Sequence, residues 1–299
     1  GSWGAVLGVR FTDRMGKAIR TSPRDALLAD SAAPGEWGRS FGLHRSMDGL
    51  GAVVGLGLAA LVVYLAQQGA VTLSGETFRS LVLMSIVPAA LAVVILLLFV
   101  SESVPRASDS RPAETDTISP RFKLFLGIMI VFSLGRLADA FLVLRAHDLG
   151  LSTLNILLLF ILFHLVFSGV SVVAGRLSDR VGRRALLTLG WASFGLIYLG
   201  LAAAGEPWQV AVLIVLYGAS FGSTEGVGRA LVADMVGTRR RGTAYGLYHG
   251  VVGFAALPGG LMAGVLWQAV SPAAPFLVAA SLMGIATAAL PVLLRQTAR

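Results

Sequence analysis

The sequence predicts an all-α membrane protein whose chain crosses the bilayer many times. Of its 299 residues, 56% are hydrophobic and only 13% are charged, whereas about a quarter of an average soluble domain is charged. Several long stretches contain no Asp, Glu, Lys or Arg: 49–75, 80–101, 149–175, 185–205 and 242–294. Because about 20 apolar residues of helix span the hydrocarbon core, a polytopic helical membrane protein is the class that fits.

The composition also excludes several kinds of chemistry. The chain has no cysteine, which excludes disulfides, thiolate catalysis and iron–sulfur ligation. Its four histidines, at positions 44, 147, 164 and 249, are far apart and form no i,i+4 pair, so no metal site and no cofactor are predicted. The sequence has no GxxxxGK[ST] loop for ATP and no Ser/His, HExxH or paired-Asp signature. An enzyme is therefore not predicted.

Charges, Gly/Pro clusters and length delimit eight apolar segments. Their approximate bounds are 49–68, 80–101, 122–145, 151–175, 186–204, 208–234, 244–268 and 274–294. A ninth segment, 3–31, is too rich in charge to be found by hydropathy, and an internal repeat identifies it instead.

The repeat appears when the chain is shifted by 204 residues. Residues 26–59 then fall on 230–263 without a gap, and 11 of the 34 aligned positions are identical, with Asp30 opposite Asp234. Between the two copies the chain crosses the membrane six times, an even number, so both copies share one orientation. Parallel six-helix repeats build a bundle of two six-helix halves. Nine helices are predicted here, and three more are expected ahead of them.

The distribution of basic residues predicts the orientation. Fifteen Lys and Arg residues fall in the loops and tail on one side, whereas Arg79 alone falls in the loops on the other. The side with fifteen is predicted to be cytoplasmic, in an inner (plasma) membrane with a cytoplasmic C-terminus. This bias accounts for the net charge of +8 without a nucleic-acid partner. The polar, Pro- and Ser-rich stretch 102–121 is predicted to be a cytoplasmic linker between 1–101 and the six-helix half 122–299.

Two motifs resemble those of the major facilitator superfamily. The loop Gly175–Arg184, GRLSDRVGRR, is a nearly complete match to that family's cytoplasmic motif GxLxDRxGR[RK]. The run Arg10–Ala18, RFTDRMGKA, is similar to its fourth-helix motif RxxxGxGx[AG], with Arg14 and Lys17 where small residues are usual. The resemblance covers the whole chain, and it implies a secondary active transporter that works by alternating access.

The matching loop is predicted to be part of a gate. Asp179 is expected to accept hydrogen bonds from the N-terminus of the helix at 45–68, because helix-end amides favour an anion. Arg183 is expected to pair with Asp234. Asp30 is expected to be left unpaired, because its natural partner would belong to the loops of the three helices expected ahead of segment 3–31. The predicted gating set is Gly175, Asp179, Arg180, Gly182, Arg183, Asp234 and Asp30. The alternative is a basic anchor that only fixes topology.

Ionisable residues at membrane depth give a second set of candidates, because such charges are costly unless they face a cavity or each other. Arg136 and Asp139 are three apart, and Glu225 and Arg229 four apart, so each pair is expected to share a helix face. Both pairs either line a substrate or proton path or neutralise each other structurally.

Segment 3–31 carries a stripe of basic residues at three- and four-residue spacing. Its candidates for the path are Arg10 and Arg14, with Asp48 of the next helix as a buried counter-charge. A basic stripe on the path favours an anionic solute. The alternative is an amphipathic helix lying on the membrane surface.

Together these patterns predict a monomeric secondary transporter that is embedded in lipid and carries a small molecule or ion. Proton coupling is a hypothesis that depends on Asp139 and Glu225, since a carboxylate beside a wet cavity is a plausible proton carrier. The alternative function is a truncated, non-transporting membrane scaffold or sensor of the same family.

Overall fold

The computed structural model describes residues 3–67, 74–99 and 118–295, and these are almost entirely helical. The α-helices are α1 (Trp3–Ser31), α2 (Trp37–Gln67), α3 (Gly75–Phe99), α4 (Pro120–Gly135), α5 (Asp139–Asp148), α6 (Thr153–Val181), α7 (Arg183–Ala203), α8 (Pro207–Met235), α9 (Arg241–Ala269) and α10 (Ala274–Arg295). A single 3₁₀ turn, Thr238–Arg240, precedes α9.

Eight spans in the described ranges are long and apolar enough to cross a membrane, with α4 and α5 counted as one span, Pro120–Asp148. The eight segments predicted from hydropathy all correspond to these spans, which confirms the all-α membrane class. Several helices begin earlier than predicted: α2 starts at Trp37 and α9 at Arg241. The first turns of these helices are polar and basic, so hydropathy placed their starts too late in the sequence. Of the predicted linker, residues 102–117 lie outside the described part, and Pro120 already belongs to α4.

Local chemistry explains the sharp helix ends. The Ser119 side chain accepts a hydrogen bond from the backbone N of Phe122 at 3.2 Å, and Pro120 follows at the first helical position, where it suits a helix start. Gly182 alone separates α6 from α7, with a φ of 95°. Glycine adopts this left-handed conformation without a steric penalty, so the two helices turn sharply at the motif loop.

The predicted helix 122–145 is interrupted, and one prediction is wrong because of it. Residues Arg136 and Ala138 have extended backbone angles, and the Tyr198 hydroxyl accepts a hydrogen bond from the freed Leu137 backbone N at 3.2 Å. A new helix then starts at Asp139. Arg136 and Asp139 therefore do not share a helix face and form no ion pair with each other. Nonhelical backbone at membrane depth is tolerated only where protein or a cavity satisfies it.

The internal repeat is visible in the helix boundaries. A shift of 204 residues carries both ends of α1 onto both ends of α8, and the first residue of α2 onto the first residue of α9. Segment 3–31 is therefore a helix equivalent to α8, as predicted. It packs against α9, and its Asp25 and Ala29 are fully buried. This packing disagrees with a helix that lies on the membrane surface.

The two parts of the bundle are packed together mainly through α2, which lies against α6 and α8. Close glycines make this contact possible, since small residues let membrane helices approach. A Cβ added to Gly175 would meet the carbonyl oxygen of Gly38 and would lie 3.0 Å from the Cα of Gly42. By contrast, α3 exposes all its described residues except Thr77 and, half-buried, Leu81, as expected for a lipid-facing helix.

Candidate substrate cavity and interhelical lock

A cavity of about 460 Å³ lies where α1 and α2 face α4, α7, α8 and α9. One side of its wall is charged and comes mainly from α1, α2 and α8. The other side is aromatic and comes from α4, α7 and α8. The cavity thus lies between the part of the bundle before the predicted linker and the part after it, which is where transporters of this architecture hold their solutes.

A chain of ion pairs crosses this boundary. Arg136 Nη1 lies 3.4 Å from Glu225 Oε2, and Arg229 Nη2 lies 3.0 Å from Glu225 Oε1. Arg229 Nε then lies 3.3 Å from Asp25 Oδ2, and His249 Nε2 lies 2.8 Å from the same oxygen. These contacts join Arg136, which directly follows α4, to α8, α1 and α9 in the protein interior.

Neither His249 nor Asp25 was among the site residues predicted from the sequence, and Asp25 is the more central of the two. Its side chain is fully buried, and Arg24 Nη2 also donates to it at 3.0 Å. In the sequence it is one acid among many bases at the end of a charged helix. A signal was nevertheless available, because the repeat shift of 204 places Asp25 opposite Arg229. Equivalent positions of two repeats meet only where they lie near the axis that relates the repeats, and opposite charges at such a pair are compatible with a contact there.

The aromatic side of the cavity is built from rings that stack on one another. Phe132 and Trp191 have ring centroids 4.3 Å apart, and Phe194 meets Phe132 edge-on at 6.1 Å. The Arg136 guanidinium lies 4.4 Å from the ring centroid of Phe221, within cation–π range. Residue spacing alone did not predict this wall, because aromatic residues in membrane helices usually face lipid or the core.

At one end of the bundle, hydrogen bonds join α2 to α6 across the same boundary, and ion pairs tie α6, α7 and α8 together behind them. We call this set the lock, formed by Gly38, Arg39, Asp179, Arg183 and Asp234. Asp179 accepts hydrogen bonds from the backbone N of Gly38 at 2.9 Å and of Arg39 at 2.8 Å. These amides belong to the first turn of α2, where a carboxylate is favoured. Arg183 donates to Asp179 at 3.0 Å and to Asp234 at 2.6 Å.

Asp30 has a partner, contrary to the prediction that it is left unpaired. Arg241 Nη1 lies 2.7 Å from Asp30 Oδ1 and donates to the Ala29 carbonyl at 3.1 Å. The Trp37 ring lies under the same guanidinium at 4.9 Å from its centroid. The prediction failed because Arg241 was assigned to a solvated loop, whereas it is the buried first residue of α9.

The remaining candidates are placed as follows. Asp48 lines the cavity, but it pairs with its helix neighbours Arg45 at 3.2 Å and His44 at 3.9 Å; at 46% exposed it is not a buried counter-charge for α1. Asp139 is exposed and does not line the cavity. The side chains of Arg10 and Arg14 lie outside the described part of the chain.

The two remaining gating candidates, Arg180 and Gly182, take no part in the ion pairs of the lock. Arg180 is exposed on α6, whereas Gly182 provides the turn into α7. Among the described residues there is no group of three or more His, Cys, Asp or Glu side chains able to hold a metal ion.

Comparison with known proteins agrees with this geometry. The family model described as Major Facilitator Superfamily matches residues 124–299. An MFS-type transporter of Methanocaldococcus jannaschii is 32% identical over 285 residues, covering 92% of this chain and 69% of that protein. A Mycobacterium bovis protein is 27% identical over 277 residues, covering 86% of this chain and 63% of that one. The chain thus spans about two thirds of the length of these relatives.

A solved structure shares the fold. The human organic anion transporter TETRAN superposes with a TM-score of 0.67 and 17% sequence identity, over 90% of this chain and 67% of that one. At this identity the likeness concerns the fold alone.

A bundle of membrane helices in two repeated parts, with a charged cavity between them, defines a polytopic membrane transporter. The chain belongs to the major facilitator superfamily.

Proposed function

We propose that this protein moves a small solute across the membrane as a secondary active transporter, by alternating access around the central cavity. The observation that carries the proposal is the position of the lock. The hydrogen bonds to Asp179 join α2 to α6, and Arg183 ties Asp179 to α7 and α8, so the lock joins the two parts of the bundle at one end of the cavity. Opening that end requires these contacts to break, which makes the lock a two-state element.

The lock end is proposed to face the cytoplasm. The fifteen-to-one distribution of basic residues supports this orientation, since Arg39, Arg176 and Arg183 all lie at that end. In this arrangement the lock is closed, and the cavity is shielded from the cytoplasm. Helices from both parts of the bundle line the cavity, so a rocking motion of one part against the other would expose it to alternate sides.

Breaking the lock is expected to shift the population towards the state that is open to the cytoplasm. The substitution Asp179→Asn removes the charge that holds the first turn of α2 and pairs with Arg183. Because the chain has no cysteine, Thr21→Cys on the cavity wall provides a single thiol, which we call the reporter thiol. Asp179→Asn should speed labelling of the reporter thiol by an impermeant maleimide severalfold in inside-out vesicles and slow it in right-side-out vesicles.

Arg176→Gln is the matched control, since Arg176 is an exposed charge on the same helix and should leave both rates unchanged. Opposite changes on the two faces are the signature of alternating access. A static scaffold or sensor would show faster labelling from the cytoplasmic face only, or no change at all, and either result would contradict the proposal.

Proton coupling is proposed at the network on the cavity wall rather than at Asp139, because Asp139 is exposed and does not line the cavity. Glu225 lies between Arg136 and Arg229, and His249 lies against Asp25. Imidazole is the side chain whose ordinary titration falls near neutral pH. A change in its charge would alter the interaction that joins α9 to α1.

The expected result is a pH-dependent ratio of reporter-thiol labelling from the two faces. His249→Gln should flatten that dependence between acidic and alkaline buffers. His147→Gln, which changes an exposed histidine on α5, should preserve it. A wild-type ratio that is constant with pH would refute coupling through this network.

A further inference from the structure

The described lining of the central cavity carries an excess of positive charge. Six Lys and Arg side chains line it, against the two carboxylates of Asp48 and Glu225. The lining cations are Lys17, Arg20, Arg24, Arg45, Arg136 and Arg229. If the buried Asp25 behind the wall is also counted against them, three positive charges remain. In a site walled by low-dielectric protein, such an excess attracts and concentrates anions.

Several polar atoms of this lining also lack partners. Arg229 Nη1, Ser133 Oγ and Arg45 Nε are buried and have no hydrogen-bond partner within the described part of the chain. The Arg229 side chain is only 7% exposed and Ser133 only 3%. Buried donors without partners are costly. All three residues line the cavity. Because these atoms are themselves almost inaccessible, their side chains must reorient before a ligand oxygen in the cavity accepts from them.

The opposite side of the cavity is suited to an apolar group. The rings of Phe132, Trp191 and Phe194 pack together there, and Phe221 also lines the cavity. Its one cation, Arg136, lies over the Phe221 ring and is paired with Glu225. The net positive charge therefore belongs to the α1, α2 and α8 side, and the aromatic side has little charge of its own.

We propose that the cavity binds an amphipathic organic anion, with its anionic head between Arg20, Arg45 and Arg229 and its apolar, aromatic body against Trp191 and Phe194. The inference deepens the proposed function, because it names the solute class of the same cavity. The head group is a carboxylate, sulfonate or phosphate, since the guanidinium donors recognise oxyanions. A cavity of about 460 Å³ lies within the range that holds ligands of one to a few rings.

Calorimetric titration of the purified protein in micelles tests the proposal with four probes. The probes are 1-naphthoate, its neutral isostere 1-naphthamide, inorganic sulfate, and the cation 1-naphthylmethylammonium. Naphthoate should bind at least tenfold more tightly than each of the other three, because only it offers both an oxyanion and an apolar body. Equal affinity for naphthoate and naphthamide, or a preference for the cation, would overturn the proposal. Sulfate binding as tightly as naphthoate would overturn the role of the aromatic wall.

Two charge-removing variants locate the head group. Arg45→Gln and Arg20→Gln should each weaken naphthoate binding about tenfold and leave naphthamide binding unchanged. Arg45→Lys should recover part of the loss. Arg20 is exposed, so its variant keeps the test available if Arg45→Gln fails to fold. Arg79→Gln is the matched control, because it removes one exposed arginine on α3, outside the cavity. Loss of affinity in Arg79→Gln equal to that in Arg20→Gln would show nonspecific charge attraction and overturn the site.

The calorimetric and labelling experiments fail independently. In one case naphthoate binds selectively, but the lock variant does not change labelling in opposite directions on the two faces. The anion site would then stand and alternating access would be rejected. In the other case labelling changes in opposite directions, but naphthoate is not preferred. Transport by alternating access would then stand and the organic-anion site would be rejected.

Discussion

Replacing Asp25 with Asn is expected to destabilise the protein strongly. The carboxylate is fully buried and has three neighbours: the guanidinium groups of Arg24 and Arg229 and the imidazole of His249. Breaking a buried pair by removing one partner typically costs about 3–5 kcal/mol, because it leaves an uncompensated buried charge. Arg229 keeps Glu225, so the lower end of that range is expected. Unfolding of the purified protein in micelles, followed by tryptophan fluorescence against denaturant, measures the change.

The matched control is Glu36→Gln. Glu36 immediately precedes α2 and pairs with Arg39. The two side chains are 53% and 58% exposed, and exposed pairs contribute about 0–1 kcal/mol. If Asp25→Asn unfolds at the same denaturant concentration as Glu36→Gln, the network does not hold α1 to α8 and α9.

The second large effect is expected at the crossing of α2 and α6. Gly175→Ala adds a Cβ that would collide with the Gly38 carbonyl oxygen and lie 3.1 Å from the Gly38 carbonyl carbon. Both are backbone atoms, so the helices must move apart. Overpacking of this kind costs about 1–3 kcal/mol. Because Asp179 is one turn away, the same displacement should loosen its hydrogen bonds to α2 and speed labelling of the reporter thiol from the lock side.

Gly169→Ala separates this effect from a general change of glycine to alanine. Gly169 lies on the same helix with no atom within 4 Å of an added Cβ, and alanine favours helix by about 0.5–1 kcal/mol over glycine. The two variants should therefore change stability in opposite directions. A stability gain in Gly175→Ala would show that the close contact between α2 and α6 does not exist.

Long-range patterns made much of the fold predictable. Uncharged stretches of about 20 residues predicted the spans, and the repeat revealed α1, which hydropathy alone could not detect. For the lock, the spacing of Asp179 and Arg183 and the position of Asp234 at a helix end were enough to predict that the three residues lie close together. The structure places them together, and their role in gating stays a prediction.

What remained hidden depends on tertiary contacts between distant helices. The break after Gly135 is stabilised by Tyr198 from another helix, so nothing within Arg136–Ala138 announces it. Arg241 was indistinguishable from its neighbours Arg239 and Arg240 until the fold buried it against Ala29 and Asp30. Aromatic residues also gave no warning of the cavity wall, because their spacing is the same in core and cavity.

The contact between Asp25 and Arg229 has a consequence for how this bundle is assembled. The two residues occupy equivalent positions in α1 and α8, and identical copies of one sequence would set carboxylate against carboxylate or guanidinium against guanidinium there. Like charges repel, so a contact between two identical copies would be unfavourable at this position. Because the two copies carry opposite charges at this position, α1 and α8 cannot replace each other in the contact. Pairing of one copy with its counterpart from a second molecule is disfavoured for the same reason.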